Sequence, residues 1–270
     1  MTLPETKNLL LKLDKGVLHL TFNRPESKNA LSVALLTDIV ATFDAVRDNR
    51  EVRAIVMRGA GGNFCAGGDI KDMANVRMAQ MKAGGGDDPA AAYNRGFGAF
   101  LRKINEAPQA TIAICEGAVL GGGFGVACVS DVAFAHADAS FGLPETGLGI
   151  LPAQIAPFVV QRVGLAQARR LFVCGARFKG AEARRLGIVH ETFDDEAALG
   201  ALLEGTLKQV IRCAPNANAV TKELMLKVGQ MELDPLLDLA AHKFSEAVRG
   251  PEGIEGTTAF IEKRLPKWAQ

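Results

Sequence analysis

Two glycine-rich turns constrain this chain most, because each lies between a short apolar run and a segment with helical periodicity. In the first, the apolar run 52–57 leads into FCAGGDI at 64–70. In the second, the run 111–116 leads into GGGFG at 121–125. Nearly all-apolar runs of this length are typical of buried parallel strands, and their alternation with helices predicts an α/β fold.

The rest of the chain extends this pattern. Runs 9–13 and 17–23 alternate around Gly16, which predicts a hairpin. Ser32 is placed to cap a helix. Residues 120–130 are predicted to form one buried helix that starts in glycines, and residues 132–136 a strand.

The chain divides in composition near residue 194. We expect an α/β core over residues 1–194 that carries the catalytic and binding site, and a helical region over residues 195–270 with three longer helices after Asp195. No linker rich in Pro or Ser separates them, so we expect the helical region to pack on the core or on a neighbouring subunit.

The glycine turns can perform one of two kinds of chemistry. Backbone N–H groups at a helix start are unpaired and carry partial positive charge, so such a turn can hold a phosphate or an oxyanion. Neither a G-x-x-x-x-G-K-[ST] loop nor a G-x-G-x-x-G in the first βα unit is present, which argues against nucleotide binding. For one such turn alone, tight helix packing is the better explanation, whereas two in one chain favour a paired oxyanion hole.

Composition excludes several other classes. The net charge is +1, so we expect no nucleic-acid partner. No run is long and apolar enough to span a bilayer and no signal peptide is visible, so we expect a cytoplasmic protein without a membrane partner. Five cysteines without C-x-x-C spacing are read as reduced thiols, and the four histidines show no metal-ligand spacing, so no metal site is expected.

Glu145 is the candidate acid–base group. It lies in the turn-rich segment FGLPETG at 141–147, where a carboxylate can exchange protons with a substrate. A carboxylate that caps the following backbone is an equally good interpretation of its position. Covalent catalysis has no evident nucleophile, since G-x-S-x-G is missing.

Five motifs in the same order resemble the enoyl-CoA hydratase/isomerase (crotonase) superfamily. They are FNRP at 22–25 with KNAL at 28–31, FCAGGDI at 64–70, the glycines of 117–123 with Cys128 and Asp131, FGLPE at 141–145, and AFIEKR at 259–264. Each motif alone is weak, and their shared order along nearly the whole chain carries the resemblance.

The resemblance implies a ClpP/crotonase-like spiral of ββα units, followed by a helical region that forms trimers or hexamers. It implies an acyl-CoA thioester substrate and no separate cofactor, since coenzyme A is part of the substrate. The oxyanion hole would consist of the Gly68 and Gly122 amides, with Glu145 as the catalytic carboxylate. Binding of the substrate or its CoA group is implied for Lys28, Ala30, Ala66, Gly68, Asp69, Ile70, Lys71, Gly122, Phe260 and Lys263.

The chain departs from this family at Gly125. Typical hydratases carry a second glutamate there, so the usual mechanism with two carboxylates does not transfer. Replacing a carboxylate by hydrogen is expected to open space beside the reacting carbons. One glutamate is typical of Δ3,Δ2-enoyl-CoA isomerases, which is one alternative.

A narrower resemblance favours hydration. The segments GGGFGV at 121–126 and GILPAQIAPFVV at 149–160, together with the C-terminal residues 260–268, resemble bacterial hydratases of branched glutaconyl-CoA esters. The predicted substrates are isohexenylglutaconyl-CoA and 3-methylglutaconyl-CoA, from acyclic terpene and leucine catabolism. A non-catalytic acyl-CoA- or RNA-binding protein of the same fold is the alternative from another class.

Two features stay open at this level. A glutaconyl ester carries a second carboxylate, and its candidate partners are Arg77, Lys82, Arg95 and Gln154. The flexible segment 83–89 is either a lid over the acyl group or a plain connector.

Overall fold

The computed structural model describes residues 3–83 and 87–270. The predicted segment 83–89 includes residues 84–86, which lie outside the described residues. The strands are β1 Leu9–Asp14, β2 Val17–Phe22, β3 Ala54–Gly59, β4 Ala110–Cys115, β5 Ala118–Leu120, β6 Val132–His136, β7 Ser140–Gly142, β8 Arg177–Lys179 and β9 Glu191–Phe193. The helices are α1 Val33–Val46, α2 Ile70–Lys82, α3 Pro89–Asn105, α4 Gly122–Val129, α5 Ala156–Val173, α6 Gly180–Arg185, α7 Glu196–Arg212, α8 Pro215–Leu226, α9 Leu233–Arg249 and α10 Pro251–Ile261.

Two sheets organise the described chain. The larger has the strand order β1-β2-β3-β4-β6-β9, and every pair in it is parallel except the β1–β2 hairpin. The smaller has the order β5-β7-β8, with β5 and β7 parallel and β7 and β8 antiparallel. Strands separated by helices and joined mostly in parallel confirm the predicted α/β architecture.

Both faces of the larger sheet are covered, as its apolar strands predict. Along β3, the side chains of Ile55 and Met57 join the main core under α1, α3 and α4. Those of Ala54 and Val56 face the opposite way and pack with Leu199 of α7. This alternation follows from the two-residue period of a strand.

Several predicted elements have different limits in the structure. The predicted helix 120–130 is two elements, because Gly121 adopts φ +48° and separates β5 from α4. In α5, Gly164 has non-helical angles, φ 76° and ψ 158°, so the helix is kinked there.

The C-terminal region begins where the sequence predicts. The Asp195 carboxylate accepts a hydrogen bond from Ala198 N and caps α7. Four helices follow in place of the predicted three, because Gly250 and Pro251 separate α9 from α10. Because α7 also packs on the sheet, the packing is continuous across positions 194 and 195. The domain boundary at this place stays a prediction.

Candidate active site

The first glycine turn is tied to the loop before α1. The N–H of Leu31 donates to Gly67 O (2.7 Å), and the N–H of Asp69 donates to Leu31 O (3.1 Å). In a parallel bridge of this kind, the residue between the two that bond to the partner strand points its own N–H away from that strand. Here that residue is Gly68, between Gly67 and Asp69. The Gly68 amide therefore faces away from Leu31, and within the described residues it has no hydrogen-bond partner in the protein.

Asp69 fixes the start of α2 and the position of this turn. Its carboxylate accepts from Lys71 N (2.9 Å) and from the Arg24 guanidinium (2.8 Å). Burial opposes the charged carboxylate, but the Arg24 side chain and the Lys71 amide outweigh it, so the pKa of Asp69 is lowered. Because Arg24 also donates to Ala30 O (2.6 Å), the ion pair ties the turn to the loop before α1.

The second glycine turn lies deep in the core. Gly121 N donates to Gly142 O (3.0 Å), and α4 begins at Gly122. The first N–H of a helix has no partner within that helix, and it lies at the positive end of the helix dipole. Every residue of α4 is buried, so this amide is a donor on a rigid support.

The two turns meet each other and Glu145. A Cβ placed on Gly121 would lie 3.6 Å from Gly67 Cα and 2.6 Å from Glu145 Oε1. A Cβ on Gly67 would lie 3.3 Å from Leu120 O. Glycine is needed at these two positions, both for the positive φ and for the close approach of the two turns to the carboxylate.

Glu145 begins a short 3₁₀ turn, Glu145–Leu148, after Pro144. Its Oε2 is buried and has no hydrogen-bond partner among the described residues. The following backbone is satisfied instead by the main-chain carbonyl of Glu145, which accepts from Ile150 N (3.0 Å). Burial raises the pKa of Glu145, so the carboxyl is suited to both give and take a proton.

A cavity of about 600 Å³ opens over these groups. Its lining includes both oxyanion-hole candidates, Gly68 and Gly122, and the carboxyl of Glu145. The other predicted site residues that line it are Ala30, Ala66, Asp69, Ile70 and Lys71.

Three predicted binding residues lie outside this lining in the single chain. Lys28 is next to the first turn, where its carbonyl accepts from Ala66 N (3.0 Å). Phe260 is 85% exposed on α10, and Lys263 follows that helix with φ +55°. Their roles stay predictions.

Comparison with known proteins agrees with this geometry. The sequence model described as enoyl-CoA hydratase/isomerase matches residues 12–270. The chain belongs to this family. It is therefore an enzyme of the enoyl-CoA hydratase type, a lyase with the crotonase fold that acts on acyl-CoA thioesters.

Relatives of this hydratase/isomerase cover it almost completely. A probable enoyl-CoA hydratase of Bacillus subtilis (strain 168) is 32% identical over 96% of this chain and 97% of its own length. The mitochondrial methylglutaconyl-CoA hydratase of Rattus norvegicus is 29% identical over 94% of this chain and 80% of its own. The solved structure of Pseudomonas aeruginosa AtuE superimposes with a TM-score of 0.93 at 59% identity, covering 98% of this chain and 100% of AtuE.

The sequence predicted open space beside Gly125 of this hydratase/isomerase. This prediction is wrong, because the space is filled. A Cβ on Gly125 would lie 2.2 Å from Ile155 Cγ2 and 3.3 Å from Leu101 Cδ1. Ile155 is itself buried and lines the cavity. An apolar side chain from the segment before α5 therefore occupies the place where a second carboxylate would project.

The sequence missed the contribution of α3. Tyr93, Asn94 and Phe97 line the cavity, and a Cβ on Gly122 would lie 2.8 Å from Phe97 Cζ. Their spacing of three and four residues along one helix face was the available signal.

Of the candidates for a second substrate carboxylate, Gln154 lines the cavity, whereas Arg77, Lys82 and Arg95 do not. Asp131 has a structural role, since its carboxylate accepts from Thr111 N (2.7 Å) and pairs with Lys222.

Residues 3–83 and 87–270 lack two further features. They contain no group of His, Cys, Asp and Glu side chains able to hold a metal ion. None of their helices has the length and apolarity needed to cross a membrane.

Proposed function

We propose that this enzyme adds water across the double bond of a 3-branched glutaconyl-CoA ester, with Glu145 as the single acid–base group. The observation that carries the proposal is the buried, unpartnered Oε2 of Glu145 in a cavity that the Gly68 and Gly122 turns also line. The other carboxylates in that lining are occupied or exposed: Asp69 pairs with Arg24, and the Glu26 side chain is 70% exposed.

The reaction begins at the thioester. The Gly68 and Gly122 amides donate to the thioester oxygen and stabilise the negative charge that it gains. Ionised Glu145 removes a proton from water as the water oxygen bonds to C3, and the C2=C3 electron pair moves into the enolate. The carboxylic acid then returns this proton to C2, and the double bond is replaced by C3–OH and C2–H.

The substrate class is supported by the apolar wall of the cavity. A long alkenyl branch gains free energy when it leaves water for such a wall, which favours isohexenylglutaconyl-CoA. The rat relative is a methylglutaconyl-CoA hydratase, which favours 3-methylglutaconyl-CoA. The apolar lining residues are Leu31, Ile70, Met73, Phe97, Leu148, Ile150, Leu151 and Ile155.

A Δ3,Δ2-enoyl-CoA isomerase is the second candidate, and one observation favours it. Ile155 fills the space beside Gly125, so one base serves the whole site. A single base suffices to move a proton between two carbons with no water added.

Mass spectrometry in labelled water separates these functions. We expect the enzyme to incorporate one labelled water into 3-methylglutaconyl-CoA or isohexenylglutaconyl-CoA and little into crotonyl-CoA. A migrated double bond, or deuterium at C2 without water uptake, would establish the isomerase. Binding of every ester without any turnover would establish the non-catalytic binder.

Glu145→Gln tests the assigned residue, and Glu26→Gln is its matched control at an exposed carboxylate of the same lining. We expect Glu145→Gln to lower kcat by about 10²–10⁴-fold and to keep its affinity for the ester. Glu26→Gln is expected to keep its rate. Turnover that survives Glu145→Gln would disprove the mechanism.

We propose that this enzyme binds further copies of itself and forms trimers or hexamers. The described C-terminal helices leave a row of large apolar side chains exposed in the single chain, which a second copy would cover. Those on α9, on α10 and just after it are Leu233, Leu237, Phe244, Val248, Ile254, Phe260, Ile261 and Leu265.

A further inference from the structure

An unusual contact joins Gln154 to α3 at the edge of the cavity. A Cβ on Gly98 would lie 1.9 Å from Gln154 Oε1 and 2.9 Å from its Cδ. Glycine in the middle of a helix is unfavourable relative to alanine. The absent side chain at Gly98 lets the Gln154 amide lie directly on the helix.

The donors at this place have no other partner. Within the described residues, the side-chain amides of Asn94 and Gln154 make no hydrogen bond to the protein, although both line the cavity. Asn94 precedes Gly98 by four residues and therefore shares its helix face. Both side chains are half-buried, so their amides are free to bind a polar group on a ligand in this largely apolar wall.

A positive charge lies beside them. The Cβ position on Gly98 is 3.4 Å from Arg95 Nη1, so this guanidinium lies near Gln154, although Arg95 is exposed and is not part of the cavity lining. Arginine and primary amide donors suit a carboxylate, whose oxygens only accept hydrogen bonds.

The location relative to the reacting atoms also fits. Phe97 precedes Gly98 and packs on Gly122, half of the proposed oxyanion hole. Gln154 and Glu145 belong to the same segment between β7 and α5. The Gln154 amide therefore belongs to the same cavity wall as Phe97, which contacts the Gly122 turn.

We propose that Gln154, with Asn94 and Arg95 beside it, binds the distal carboxylate of the substrate and makes the enzyme selective for dicarboxylic acyl-CoA esters. This proposal rests on the proposed function for its substrate. Gly98 is a positioning residue, because it permits the placement of Gln154.

The test compares esters that differ only in this carboxylate. For turnover they are 3-methylglutaconyl-CoA and 3-methylcrotonyl-CoA, and for binding they are the unreactive inhibitors glutaryl-CoA and butyryl-CoA. We expect Gln154→Glu to lower kcat/KM for 3-methylglutaconyl-CoA by about 100-fold, because a hydrogen bond to a charged group is lost and like charges are brought together. Turnover of 3-methylcrotonyl-CoA should change less than about threefold.

Milder variants probe the same contact. Gln154→Met keeps the length of the side chain without its donors, and we expect a rise in KM of about 10-fold for the dicarboxylic ester alone. Gly98→Ala should displace the Gln154 amide and act in the same direction. Gln161→Glu, which adds an equal charge at an exposed position of α5, is the control and should leave both esters unaffected.

The inhibitors keep the two proposals distinguishable. If glutaryl-CoA binds more tightly than butyryl-CoA and Gln154→Glu reverses this order, carboxylate recognition stands even where no glutaconyl ester is hydrated, and the proposed function alone fails. Equal loss of affinity for both inhibitors in Gln154→Glu, or no preference in the unaltered enzyme, would overturn the carboxylate site whatever the enzyme hydrates.

Discussion

The two glycine turns supply the same kind of donor from opposite surroundings. The turn at Gly122 opens a helix whose residues are all buried, with Phe124 packed edge-on against Phe141 and Phe178. The turn at Gly68 opens α2, which has no buried residue. One half of the proposed oxyanion hole is therefore held by the core, and the other by polar contacts at the surface.

Those polar contacts can be named. The Arg24–Asp69 ion pair holds the turn, and the Asp72 carboxylate accepts from Val33 N (2.7 Å), which joins α2 to α1. Packing resists small displacements in every direction, whereas a few hydrogen bonds resist them along their own axes. We infer that α2 can shift slightly when the acyl-CoA binds, whereas α4 keeps its position.

The largest predicted effect breaks the core-supported turn. A Cβ on Gly123 would lie 2.6 Å from Cys65 Cβ and 2.8 Å from Cys65 O. We expect Gly123→Ala to destabilise the protein by about 2–3 kcal/mol, since overpacking exceeds the gain in helix propensity. Thermal unfolding measures this difference.

The matched variant is Gly68→Ala, whose Cβ would meet nothing closer than Met73 Sδ at 3.7 Å. Its unfolding midpoint should equal that of the unaltered protein. Equal losses in the two variants would show that the turns are supported alike.

The second effect loosens the surface-supported turn. Asp69→Ala removes the ion pair and the N-cap of α2, and a lost cap costs about 1 kcal/mol. We expect faster amide hydrogen exchange across α2 and unchanged exchange across α4. Glu26→Ala, which removes a more exposed and more distant partner of Arg24, should change neither helix.

Acid should reproduce this loosening. Because the folded protein lowers the pKa of Asp69, its contribution is complete above the ordinary aspartate pKa of about 3.9 and disappears as the pH falls through the folded value. The stability difference between Asp69→Ala and the unaltered protein should therefore shrink below about pH 4. A constant difference down to pH 2 would contradict the assignment.

The smallest effect concerns Glu145, beside the core-supported turn. Burial raises the pKa of its carboxyl, so the folded state binds a proton more readily than the unfolded chain, and ionisation lowers stability. We expect Glu145→Gln to raise the unfolding midpoint slightly at pH 8. The gain should vanish below about pH 4.3, where glutamate is protonated in both states.

A Glu145→Gln variant that is less stable at pH 8 would contradict this prediction. That result would mean that the carboxylate has a favourable partner in the folded protein. Midpoints measured between pH 4 and pH 8 decide the question.

Local signals in the sequence were sufficient for much of the fold. The strand β6 was predicted with its correct limits, and the Ser32 hydroxyl caps α1 by accepting from Leu35 N. Capping residues and apolar runs act over a few neighbours, so they can be read without knowledge of the tertiary structure. Motif order likewise predicted the family.

What the sequence could not supply depends on contacts between distant residues. The strand β5 is three residues long and exists because it pairs with β7, so residues 118–120 carry no strong signal of their own. The void expected beside Gly125 is filled by Ile155, thirty positions later. The proximity of Asn94 and Gln154 in the cavity wall likewise could not be predicted, because it depends on how α3 and the segment before α5 pack together.

The contact between Ile155 and Gly125 also limits how this enzyme can change by mutation. A glutamate introduced at position 125 would collide with Ile155, and a smaller residue introduced first at position 155 would leave a cavity in the core. Each single step lowers stability before the pair of changes can restore a second carboxylate. A second carboxylate at position 125 therefore requires a compensating change at position 155.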